Sequence, residues 1–103
     1  MIMIINVNTV LEDNALFIWD SWNQGHIGRH DVEPYEAEEA MKDPDRVKIN
    51  THGIGEEKRG LIGKTEDGRH LVVIYTKREK GFYVITARDA EEDEIKWYKR
   101  SNK

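Results

Sequence analysis

The stretch Leu71 to Asp89, LVVIYTKREKGFYVITARD, leaves this chain few ways to fold. Leu71-Val72-Val73-Ile74-Tyr75-Thr76 is a near-continuous apolar, β-branched run, the pattern of a strand buried on both faces. A charged tip follows, Thr76 to Gly81, in which Gly81 is free to take a positive φ. Phe82 to Arg88 then returns antiparallel. Strict alternation puts Phe82, Val84, Thr86 and Arg88 on one face and Tyr83, Ile85 and Ala87 on the other. Asp89 is placed to cap the next helix, and Glu92 stands where a capping box has its acid.

Around this hairpin the chain reads as an α+β fold in one domain. At 103 residues it can build a single core. Residues 1–14 read as a loose lead-in or an extra edge strand. Ala15 to Trp19 is a short strand, and Asp20 or Ser21 caps a helix from Trp22 to about His30. Pro34 suits the first position of a second helix, which runs to about Met41 and ends before Asp43-Pro44. Ala37, Ala40 and Met41 form its apolar side, while Glu36, Glu38 and Glu39 read as a solvated face. Strands are expected at Arg46 to Asn50 and Lys58 to Lys64, with Gly60 and Gly63 leaving gaps for a side chain or ligand. Thr65-Glu66-Asp67-Gly68 is a hairpin turn, and a last helix runs from Ala90 to about Arg100, docking through Ile95 and Tyr98. The order is strand, two helices, a four-strand meander, then a helix.

Composition narrows the function classes. There is no cysteine, so disulfides and thiolate metal sites are excluded. The apolar opening, Met1 to Ile5, is too short for the core of a signal peptide, and no segment approaches a membrane span. A cytoplasmic protein is expected. The net charge of −4 hides an asymmetry: residues 1–45 carry two bases against ten acids, and residues 46–103 carry fourteen bases against ten acids. The expected sheet is therefore basic, either as a solvated mixed surface or as a phosphate-binding one. Trp22, His26 and His30 share one helical stripe. Two histidines so spaced bind a metal only with a third ligand, and His52 or His70 would serve only if the fold brought them close; no metal or other cofactor is expected.

Phe17-Ile18-Trp19-Asp20, Trp22-Asn23, His26-Ile27, Arg29-His30 and Val32 resemble the opening motif of the BrnT toxin family. Glu57-Lys58-Arg59 stands where that family has an acid-rich approach to an arginine-bearing strand. Gly63-Lys64-Thr65 and Gly68-Arg69 flank the turn before LVVIYT, Ile85-Thr86-Ala87-Arg88 looks like the family's signature, and Glu94 and Tyr98 match its closing helix. The resemblance spans about residues 16–99. It implies a RelE-like antiparallel sheet and a toxin of a type II toxin–antitoxin pair, acting as a metal-independent ribonuclease on RNA. It also implies a BrnA-like antitoxin that carries the DNA-binding domain, with a toxin dimer joined to an antitoxin dimer. The alternative is a protein of the same fold that cuts poorly and acts through complex formation.

Cutting RNA without a metal requires a group to take the 2′-hydroxyl proton, a cation on the phosphorane and help for the departing 5′-oxygen. Arg59 and Arg88 match family positions on neighbouring expected strands, and a guanidinium holds phosphate bidentately. Either is also readable as a sheet-edge arginine paired with an acid. His30, Tyr75 and Glu94 are the candidate proton-transfer groups, each with a packing or helix-end alternative. Lys64, Arg69, Lys77, Arg78, Tyr98 and Lys99 are candidate RNA contacts.

Overall fold

In the computed structural model, residues 16–50 and 57–103 are described. The element order is β1 (Phe17–Ile18), α1 (Ser21–Gly28), α2 (Pro34–Lys42), β2 (Val47–Ile49), β3 (Lys58–Lys64), β4 (His70–Arg78), β5 (Gly81–Asp89) and α3 (Glu92–Ser101). The five strands form one sheet in the order β1-β5-β4-β3-β2. The expected α+β architecture and its meander are present. The sheet is mixed, however, because β1 runs parallel to β5. The readings of residues 1–14 lie outside the described residues.

β4 sits at the centre and is buried on both faces, as its apolar run requires. Leu71, Val73 and Tyr75 point into a core closed by α1 and α2 through Ile27, Ala37, Ala40 and Met41. Val72 packs on the opposite face with Ile62 and Tyr98, under α3. Strict alternation fails in β5, where Ile74 pairs with Thr86 but Tyr75 pairs with Val84. Ile85 is the extra residue of a bulge. The bulge sends Ala87 into the helix-side core with Phe82 and Val84, and turns Arg88, which pairs with Val72, to the α3 side. The expected common face of Phe82, Val84 and Arg88 is thereby corrected.

Helix ends follow local chemistry. Asp20 caps α1: its carboxylate accepts the Asn23 N–H at 3.0 Å, and Asn23 Oδ1 accepts the Asp20 N–H at 2.8 Å. The Asn23 amide also donates to the carbonyls of Ile18 at 2.9 Å and Val84 at 3.0 Å. One fully buried side chain thus ties α1 to β1 and β5. α3 starts later than expected, with Glu91 as its cap and Glu94 accepting the Glu91 N–H at 2.7 Å. Asp89 does not cap it, because that carboxylate is held by Arg69 at 2.6 Å.

Two glycines are required by close approach. A Cβ on Gly63 would run into the Ala40 carbonyl, so this residue lets α2 settle on the sheet; Gly81, at φ +154°, would bring one to 2.6 Å from the Leu16 carbonyl. The gap at Gly60 is filled by Ile49 and Ile74, so both gaps in β3 are occupied by the chain itself. The acidic side of α2 is not simply solvated either. Glu36 binds Arg69, Glu38 accepts the Trp19 indole N–H at 2.7 Å, and Glu39 accepts the Glu66 N–H at 3.1 Å. Among the described residues, no helix is long and apolar enough to cross a membrane.

Candidate functional site

The eleven residues singled out from the sequence fall into separate neighbourhoods. Arg59 and Tyr75 are direct cross-strand partners, as are Lys77 and Phe82. Paired residues share a face, so these four lie on the helix side, at the sheet end beyond α2. There Tyr75 meets Phe82 edge-on at 5.7 Å, and Phe82 lies 6.2 Å from Phe17. Lys77 stands over the Phe82 ring at 5.6 Å, and Lys42 over Phe17 at 5.7 Å. The result is an aromatic floor rimmed by cations. Burial pushes the Tyr75 phenol up, and the nearby guanidiniums of Arg59 and Arg46 pull it back. The side chain of Arg59 is exposed and makes no hydrogen bond or ion pair among the described residues.

Arg88 lies on the other face, and β4 separates its strand from that of Arg59. The expectation that the two arginines occupy neighbouring strands is thereby corrected. Arg88 makes a two-pronged pair with Glu94, at 2.9 and 2.8 Å, and also donates to the Asp89 carbonyl at 3.0 Å. The Arg88 hydrogen bond holds the Glu94 carboxyl below its ordinary value. Tyr98 is buried with its hydroxyl on Asp43 at 2.6 Å, and burial followed by Asp43 pushes this phenol far up. The Asp43 carboxylate also accepts the Lys64 N–H at 2.8 Å. Tyr98 therefore pins α3 to the end of α2. His70 rests edge-on against Tyr98 at 5.0 Å. Burial lowers its imidazole below the usual value, helped by the charges of Lys64 and Lys99.

Arg69 is fully committed. Its guanidinium donates to both Asp89 oxygens at 2.6 and 3.2 Å, to Glu36 at 3.0 Å, and to the carbonyls of Asp31 at 2.9 Å and His30 at 3.3 Å. Those five bonds use every N–H a guanidinium owns. They clamp the α1–α2 turn, including Asp31 at φ +59°, to the end of β5. Arg78 stacks on Tyr83 at 3.8 Å, and the Tyr83 hydroxyl lies 3.0 Å from the Asp20 carboxylate. His30 is exposed at the end of the α1 stripe, where Trp22 stacks on His26 at 5.0 Å and His26 meets His30 at 6.5 Å. Among the described residues, no group of three or more His, Asp or Glu side chains gathers as a metal would need. His70 stands apart against Tyr98, and His52 lies outside the described residues.

The sequence reading missed Lys42, Phe17 and Phe82 as companions of Arg59 and Tyr75. Only the parallel pairing of β1 brings Phe17 there, and a two-residue strand carries no pattern that announces its partner. A signal for Lys42 was available but unused: it follows the last apolar residue of the expected helix, where a cation suits the negative end, and it lies in the last turn of α2.

A mixed five-stranded sheet with two helices on one face and a third on the other, with cations over an aromatic cluster at one end, defines a small α+β protein. Residues 19–94 match the family described as ribonuclease toxin, BrnT, of type II toxin–antitoxin system. The chain belongs to that family, whose type II character implies an antitoxin as partner. No curated protein matches the chain.

Proposed function

We propose that the chain is an endoribonuclease that cleaves RNA without a metal ion and thereby inhibits translation and growth, with its reaction centre at Arg59 and Tyr75. The observation that carries this reading is the guanidinium of Arg59, without a partner among the described residues and directly across from Tyr75, within the cationic rim of Lys42 and Lys77. Arg59 holds the scissile phosphate and stabilises the charge that builds on it as the 2′-oxygen attacks. Tyr75, whose phenol burial keeps protonated, is suited to give a hydrogen bond to the departing 5′-oxygen rather than to take a proton. Lys77 and Lys42 hold flanking phosphates, and the partly buried Phe17 supplies ring area for a base. Such attack releases the 2′-hydroxyl proton to water while the Tyr75 phenol gives its proton to the departing 5′-oxygen and regains one from water, leaving a 2′,3′-cyclic phosphate and a free 5′-hydroxyl.

A second reading keeps the activity and moves the centre to the α3 face. It is favoured by Arg88 on that face together with His70, whose lowered basicity leaves it neutral and able to accept a proton, beside Lys64 and Lys99. Glu94 must then release Arg88 or share it. Arg69 and Tyr98 belong to the framework in both readings, because their donors are committed within the chain.

The antitoxin is proposed to be BrnA-like and to carry the DNA-binding domain, so that this chain reaches DNA only indirectly. The acidic front half offers the surface for a basic segment of it, in a complex of two copies of each chain. The reading as a nuclease is tested with end-labelled RNA and purified protein in EDTA. Wild type is expected to yield fragments ending in 2′,3′-cyclic phosphate. Intact RNA in EDTA, with cutting restored by a divalent ion, would contradict it.

A further inference from the structure

The α1 stripe is not absorbed by either reaction centre. The inner side of this helix is spent on the fold, through Asn23 and Ile27, both fully buried. On the outer side Trp22 remains 56% exposed while lying nearly parallel to His26, with 12° between the rings and 5.0 Å between centroids. A large indole left in water adds nothing to the core, so its stacking on His26 is a pre-formed ring surface without a structural employer. Beside it is an open depression of about 440 Å³ lined by Ser21, Trp22, Gly25, His26 and Arg29. That volume is in the range of small-ligand sites.

Two further observations point to what fits there. Gly25 is not demanded by packing, since a Cβ at that position would meet nothing within 4 Å. A glycine inside a helix weakens it relative to alanine, and at Gly25 it leaves backbone bare along the depression. The second is charge: Ser21 to His30 contains no acid, although residues 1–45 carry ten. A flat ring pair edged by imidazole and guanidinium N–H groups suits a planar ligand with hydrogen-bonding edges and an attached anion. An apolar protein anchor would leave those donors unpaired.

We infer that Trp22 and His26 form a nucleobase platform, on which an unpaired base of the RNA strand stacks while Arg29 meets its phosphate. The inference rests on the ribonuclease reading and names where the strand is held outside the cleavage centre.

The test is the affinity of a fluorescent, non-cleavable 2′-O-methyl RNA oligonucleotide for the full chain, read by anisotropy. Trp22→Ala should weaken binding about tenfold, in the range measured for loss of one stacked base, and Trp22→Phe should restore most of it. Gly25→Ala should raise the melting temperature yet weaken binding, a split that a purely structural glycine does not produce. Wild type that cleaves RNA while Trp22→Ala and Gly25→Ala bind as tightly as wild type overturns the platform alone. Wild type that neither binds nor cleaves overturns the nuclease reading as well. Loss of antitoxin binding by Trp22→Ala, with RNA affinity intact, assigns the surface to a protein and also overturns it.

Discussion

His70 shows how one residue changes meaning between sequence and structure. As a letter it is a weak metal candidate; in place it is a half-buried imidazole on Tyr98, with Lys64 and Lys99 disfavouring its charge and Asp43 favouring it. Its pKa in the folded chain is lowered, so the unfolded chain binds the extra proton first. The stability this contributes is complete above about pH 6.5 and is lost as pH falls through the lower folded value. Melting temperature should therefore decline as pH falls below about 6.5, and His70→Gln should remove that slope. An unchanged slope in the variant would place the titration elsewhere. Asp89 and Glu94, each held low by its arginine, act in the same direction at more acid pH, which leaves the upper window to the imidazole. Arg69 was readable as a cation and unreadable as a clamp. Its partners stand 20 to 39 residues away in the chain, and only the fold decides whether a guanidinium meets phosphate or carboxylate.

At the scale of elements, most of the architecture was legible. The apolar run of β4, the turn at Thr65 to Gly68, Pro34 at the start of α2 and the cap at Asp20 are local signals, and each sits where its chemistry put it. The bulge at Ile85 was not. Nothing in Phe82 to Arg88 marks an extra residue, yet that single insertion decides which face Arg88 occupies and separates it from Arg59. The acids of α2 were also misread, because a helix face looks solvated until the turn after β3 comes down on it. Gly63 carries the element-scale prediction. A methyl group there meets backbone rather than a flexible side chain, so α2 must lift from the sheet. Gly63→Ala should cost about 1–3 kcal/mol or more, read as a lower denaturation midpoint with an unchanged m-value. A variant as stable as wild type would show that α2 is not held by this contact.

For the whole molecule, the division of charge maps onto the sheet. Most bases of residues 46–103 lie on or beside β3, β4 and β5, and the acids of α2 hold helix, turn and indole together. Family membership adds an antitoxin as partner; on the proposed reading, an antitoxin that covered the Arg59 neighbourhood would silence the protein by excluding RNA. The central claim is that RNA cleavage is organised on the helix side, by Arg59, and not on the α3 side, by Arg88. One measurement tests it most directly: cleavage of labelled RNA in EDTA by Arg59→Ala and Arg88→Ala, with melting temperatures recorded on the same preparations. The account predicts that Arg59→Ala loses at least about a hundredfold in rate, as removal of one charge-stabilising donor does, while melting like wild type. It predicts that Arg88→Ala loses stability through its broken pair with Glu94 and still cuts when folded. Undiminished cleavage by Arg59→Ala, with cleavage abolished in a well-folded Arg88→Ala, would contradict it and move the centre to the opposite face.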